Sequence, residues 1–307
     1  MSWPALSTGF AHEPPSAALA RVMLCADDFA MTEGITRGIE ELAHQQRLSA
    51  TSAMVTLRHW PLHAPRLKAL ANRIAIGLHI NLTVGRSASV CPRLAPDGAL
   101  PDLQTLIKSA LRGRIDVAEI EAEVSAQLEI FCSRIGALPD FVDGHQHVHA
   151  LPHIRAGVLA ALGRYYPGGG VLVRDPVDAF GAIVRRGAAT RKALVIAGLC
   201  RGFGKLARSH GFATNLGFSG TSDFAPAVPF TLELRRFVVA AGPRHLVMCH
   251  PGYVDDELRA LDPVTARREQ ELSAIHSADW LTARLATRAD VLSWARATGR
   301  NSAEAPS

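Results

Sequence analysis

The chain has 307 residues, of which 48% are hydrophobic and 20% charged, with 25 Gly and 18 Pro dispersed along it. That length and balance suit one large α/β domain or two small ones and exclude a disordered, collagenous or disulfide-stapled chain. The net charge is +5, yet seven basic residues and no Asp or Glu fall between Ala182 and Ala213, so the rest of the chain is net −2 and the basicity is local.

Residues 1–20 carry no basic segment ahead of an apolar run and are expected to be a tail. A single domain is expected over residues 21–297, with a second tail at 298–307. Short runs rich in Val, Ile and Leu then recur as predicted strands: Arg21–Ala26, Ser52–Thr56, Ile74–His79, Asp140–Asp143, Gly170–Arg174, Phe212–Leu216 and His245–Cys249. Between them the spacing predicts helices, among them Thr32–Gln46, with Thr as N-cap and Glu in its first turn, and Val117–Ile135, with Ile120, Val124, Leu128 and Phe131 on one face. Strands alternating with helices imply a parallel sheet, and this many units suit an α/β barrel or an incomplete one. No GxGxxG follows the first strand. Asp27-Asp28-Phe29-Ala30 stands there instead and would repel a phosphate.

The basic segment containing Leu194, Val195, Ile196, Leu199, Phe203 and Leu206 reads as an amphipathic helix, either packed on the domain or lying on an anionic surface across residues 185–208. The longest plain apolar run, Ala193–Cys200, is eight residues and too short to cross a bilayer. Five cysteines without a CxxC pair indicate neither a disulfide framework nor a cysteine zinc site. They point to the cytoplasm, with peripheral contact to the inner membrane face as the further expectation. No nucleic-acid recognition motif is present.

The ends of the predicted strands carry the chemistry. Asp27 and Asp28 follow the first, His79 the third, Asp143 and His145 the fourth, Arg174 the fifth and His250 the last. In α/β barrels that rim builds the active site. Adjacent carboxylates raise one another's pKa unless a cation lies between them. His145, His147 and His149 recur at period two and would project to one side if extended, as in short His-rich metal tracts. One Asp and two His make a three-ligand metal set of a kind shared by hydrolases and iron oxygenases. A carboxylate and an imidazole left over would serve as base and acid for hydrolysis.

Ala26-Asp27-Asp28-Phe29, Gly77-Leu78-His79-Ile80-Asn81-Leu82, Asp143-Gly144-His145-Gln146-His147-Val148-His149 and Cys249-His250-Pro251-Gly252-Tyr253 resemble, in order and spacing, the signature segments of the YdjC-like carbohydrate deacetylases. That family includes chitooligosaccharide deacetylases and the hopanoid-associated HpnK proteins. The resemblance runs from about Arg21 to Leu292. It implies a distorted (β/α) barrel related to polysaccharide deacetylases, a divalent metal (magnesium or zinc), a homodimer, and removal of acetyl from an N-acetylated oligosaccharide or lipid-linked sugar.

Carried over, Asp28, His79 and His145 resemble the metal ligands, Asp27 the general base and His250 the general acid as imidazolium. Asp143, Arg174, His147 and Tyr253 are expected to support them or touch substrate, and His149 has no assigned role. Ala30 stands where the family usually has Gly, which tests the loop if φ there must be positive. Cys25 and Cys249 are expected to turn away from the catalytic groups. The alternatives are hydrolysis of a phosphoester or another acyl ester at the same rim, and a non-catalytic carbohydrate binder.

Overall fold

The computed structural model describes residues 21–224, 227–262 and 265–297, so both expected tails lie outside the described residues. Eight strands form one parallel sheet: β1 (Val22–Phe29), β2 (Ala50–Ala53), β3 (Ala75–Ile80), β4 (Phe141–Gly144), β5 (Leu172–Val173), β6 (Ala213–Thr214), β7 (Gly217–Ser219) and β8 (His245–Cys249). Their order is β6-β5-β4-β3-β2-β1-β8-β7, and β6 and β7 do not pair among the described residues. The sheet therefore curls into the expected distorted barrel without closing. β7 escaped prediction because three residues are too few to show a period.

Strand alternation divides the core in two. Met23 and Cys25 of β1 point inward with Phe141, Phe218, Leu246 and Met248, while Leu24 and Ala26 point outward against the helices. Small Ala50, Ala75 and Ala213 leave room inside the curl for the two Phe rings, and Val291 and Ala295 of the Arg288–Arg296 helix join the same inner cluster.

The helices form where the pattern predicts. Thr32 caps Glu33–His44 by accepting from the Ile35 N–H, and Ile35, Ile39 and Leu42 fill the buried face. Asp116 caps Val117–Ile135, which ends at Gly136 in the left-handed region with φ 83°. Each buried aliphatic side chain on these faces contributes about 1.5–3 kcal/mol.

The basic segment departs from expectation. It is not one amphipathic helix but three short ones, Phe180–Arg186, Thr190–Leu199 and Phe203–Ser209, separated where Gly187 (φ 61°) and Gly202 (φ 82°) turn the chain. No residue of the middle helix is buried. No helix among the described residues is long and apolar enough to cross a membrane.

Candidate active site

In a regular strand Asp27 and Asp28 would face opposite sides of the sheet. The β1–β2 register shifts between Ala26 and Phe29, and Asp28 takes a φ of 68°, so the second carboxylate swings to the same rim as the first. Ala30 follows with φ 69°. The family's usual Gly there therefore has a conformational reason, which this chain meets with an alanine in the left-handed region.

Asp28 lies at the centre of a donor cluster. Its Oδ1 is 2.9 Å from His145 Nδ1 and 3.3 Å from His79 Nε2. One donor atom from each of the three residues lies within 4.8 Å of the others, and all three residues are buried. The far nitrogen of His79, Nδ1, donates to Asp143 Oδ1 at 2.6 Å, and Ser52 Oγ donates to Asp143 Oδ2 at 3.1 Å. A carboxylate behind an imidazole fixes its tautomer and turns Nε2 toward the cluster, as metal-binding histidines require. These residues therefore fit a divalent cation.

Charge is compensated tightly. Burial pushes the Asp28 carboxyl up, but His145 and Arg268 beside it hold it well below the ordinary range. Arg268 donates to Asp28 Oδ2 and to Asp262 Oδ2, both at 2.7 Å. Burial would push the His79 ring down, yet Asp143 holds it up at about 10, so a cation at Nε2 would displace a proton. Arg174, with no exposed surface, grips Asp27 through both carboxylate oxygens at 2.6 Å, pairs with Asp143 and reaches Cys25 Sγ at 3.3 Å. The second cluster of potential ligand atoms, Cys25, Asp27 and Asp143, thus already holds a guanidinium.

Of the two roles expected of Arg174, its contacts favour support: it lines none of the described cavities and grips Asp27. Other expectations change. Cys25 does not turn away, because residues 25 and 27 of β1 share a face, whereas Cys249 does turn to the outer layer. Gln146 and His147 adopt φ 53° and 61°, in the left-handed region, so His145–Ala150 kinks there and does not run extended. His145 and His147 then face the cavity, while His149 swings back to donate from Nε2 to the Arg174 carbonyl at 2.8 Å. A Cβ on Gly144 would meet His149 Nδ1 at 2.8 Å, so that turn requires glycine. Tyr253 is fixed by its N–H to the Gly34 carbonyl and points outward, donating from its hydroxyl to Glu41 at 2.7 Å beneath the Arg37 guanidinium. It does not line the cavity.

Asp27, Asp28, His145, His147 and His250 open on one cavity of about 420 Å³. Burial pushes the His250 ring down to about 4, although Asp28 and Asp27 pull it up, and the backbone N–H of His250 donates to Glu271 at 2.5 Å. The cavity's opposite wall is apolar, with Leu103 and Ile107 from one helix and Val195, Ile196 and Leu199 from another. Sequence reasoning missed Arg268, Ser52 and this wall. Nothing local marks Arg268, which meets Asp28 across 240 positions of sequence.

A family model described as YdjC-like protein matches residues 21–284. A chitooligosaccharide deacetylase of Klebsiella pneumoniae is 30% identical over 244 residues, 78% of this chain and 85% of its own. One from Yersinia pestis is 35% identical over 136 residues, 44% of this chain and 53% of its own. A solved structure from Enterococcus faecalis, described as a cellobiose-phosphate cleavage protein, shares the fold with a TM-score of 0.64 at 22% identity, covering 89% of this chain and 98% of that one.

Proposed function

The chain belongs to the YdjC-like protein family, and from that premise we propose that it is a metal-dependent carbohydrate deacetylase that hydrolyses the acetamide of an N-acetylated sugar. The observation that carries this reading is the buried Asp28, His79 and His145 donor set opening beside Asp27 and His250 on one cavity. Those three residues would hold a divalent cation, magnesium or zinc, which supplies a Lewis acid for the amide carbonyl.

The remaining work falls to the chain's own groups. Asp27, aimed by the Arg174 fork, accepts a proton from the attacking water. As the C–N bond breaks its electron pair goes to nitrogen, which takes a proton from His250 and leaves as the free amine beside acetate. Burial keeps the resting His250 ring neutral at pH 7, unlike the imidazolium expected from sequence, so the proton it hands on arrives during turnover, from the water that Asp27 deprotonates. His147, also driven neutral by burial, lines the cavity and is offered to a substrate hydroxyl.

The relatives named above are called chitooligosaccharide deacetylases, which supports an N-acetylated amino sugar as substrate. The apolar wall of Leu103, Ile107, Ile196 and Leu199 favours such a sugar joined to a lipid over a free oligosaccharide. The reading includes a cytoplasmic homodimer, checked by sedimentation velocity. Acetate release from a panel of soluble and lipid-linked N-acetylglucosamine substrates tests the activity. Release should be abolished by chelator and reduced about 10²- to 10⁴-fold by Asp27→Asn. A metal-loaded protein that releases acetate from no member of the panel would refute the reading.

A further inference from the structure

The Phe180–Arg186 helix packs against the Thr190–Leu199 helix, which lines the cavity, and both turn apolar side chains to solvent. Phe180 is 69% exposed, Val184 50% and Val195 61%. Phe180 and Val184 lie one turn apart on the first helix, as Arg191 and Val195 do on the second, so each pair shares a face.

The charge around them is one-sided, since the seven cations between Ala182 and Ala213 have no acidic residue among them. Three of those cations are used internally. Arg186 pairs with Asp178 and donates to the Phe218 carbonyl, Lys192 donates to the Ser222 carbonyl at 2.9 Å, and Arg208 donates to Thr214 at 2.6 Å. Arg185, Arg191, Arg201 and Lys205 are exposed and form no ion pair among the described residues.

We propose that these two helices dock on an anionic lipid surface, with Phe180, Val184 and Val195 entering the headgroup boundary and the exposed cations that the same helices carry, Arg185 and Arg191, facing lipid phosphates. The ridge lacks both counter-charge and apolar cover, and an anionic bilayer supplies both. A second copy of the same ridge would bring like charge against like. Val195 belongs to the ridge and to the cavity wall, so docking places the mouth at the membrane. Only that consequence, delivery of a lipid-borne sugar to the site, rests on the deacetylase reading.

Co-sedimentation of the full chain with phosphatidylcholine vesicles, with and without one-third phosphatidylglycerol, tests the docking. The protein should pellet with the anionic vesicles only, and less as salt rises. The Phe180→Ser, Val184→Ser double variant and, separately, Arg185→Ser should weaken pelleting, the former at least about tenfold. Neither Phe180, Val184 nor Arg185 lines the cavity, so acetate release from soluble substrates and the melting temperature should match wild type.

Failure to pellet, or pelleting unchanged in the double variant, would overturn the proposal. So would a wild-type dimer that the double variant dissociates, which would make the ridge a contact between copies. Vesicle binding without acetate release would sink the deacetylase reading and leave the docking intact, and the reverse result would do the opposite.

Discussion

The two walls of the cavity are built on opposite principles. On the strand side, Asp27 and Asp28 are backed by His79, Asp143 and Arg174; all five are almost wholly buried, Asp27 is gripped through both oxygens by Arg174, and each of the others is held by two or more charged or polar neighbours. On the helix side, Thr190–Leu199 buries no residue, and Lys192 ties it to the Ser222 carbonyl. Buried charge is tolerable only with every partner in place, so the first wall can hardly vary without collapse. An apolar wall needs only approximate shape and can change with the substrate. Chemistry is thereby fixed on one side while selection is left free on the other.

The sharpest way to break that contrast is Arg174→Met. Its loss leaves Asp27 without the cation that grips it and Asp143 with His79 and Ser52 alone, which should cost about 3–5 kcal/mol in urea unfolding. Arg174→Lys should recover part of that stability but little of the rate, because an ammonium cannot hold both oxygens of Asp27. A cost for Arg174→Met below about 0.5 kcal/mol, within the range of ordinary surface substitutions, would mean that the strand wall is not over-determined.

The opposite wall should respond in a different measurement. Ile196→Ser with Leu199→Ser removes apolar cover from half-buried positions. KM for a substrate with an apolar group should rise about tenfold, a scale set by the few kcal/mol such contacts supply. The kcat for soluble N-acetyl sugars should hold, and unfolding should shift far less than for Arg174→Met. Equal losses on both substrates would show that this wall also positions the reacting groups.

The sequence made the strand wall legible because its residues directly follow apolar runs, where a barrel presents them at one rim. Thus His79, Asp143, His145 and His250 could be placed from their neighbours alone. What stayed hidden depends on geometry with no local trace. The bulge that brings Asp28 onto Asp27's side needs a left-handed residue that nothing in Asp-Asp-Phe announces. Arg268 reaches the site from the Ala266–His276 helix, whose own pattern suits a surface helix as well. The apparent continuity of 185–208 hid two glycine breaks, and with them the fact that its middle piece faces both the cavity and solvent. Period two in the histidine tract misled because Gln146 and His147 leave the extended region.

Acid should separate the walls by the smallest of these effects. Burial pushes His149 down to about 4 in the folded protein, although the Arg174 carbonyl that accepts its Nε2 proton favours the charged form. Unfolded, the ring takes a proton below its ordinary value of about 6.5. Between those values the unfolded chain binds more protons, so stability rises with pH there. The contribution is complete above about pH 6.5 and disappears as pH falls through about 4. Melting temperature should therefore drop by a few degrees between pH 7 and pH 5, and His149→Gln should flatten that slope. The Ile196→Ser, Leu199→Ser variant should keep the wild-type slope, because its wall holds no histidine. A His149→Gln protein with an unchanged slope would show that acid acts through groups other than this ring.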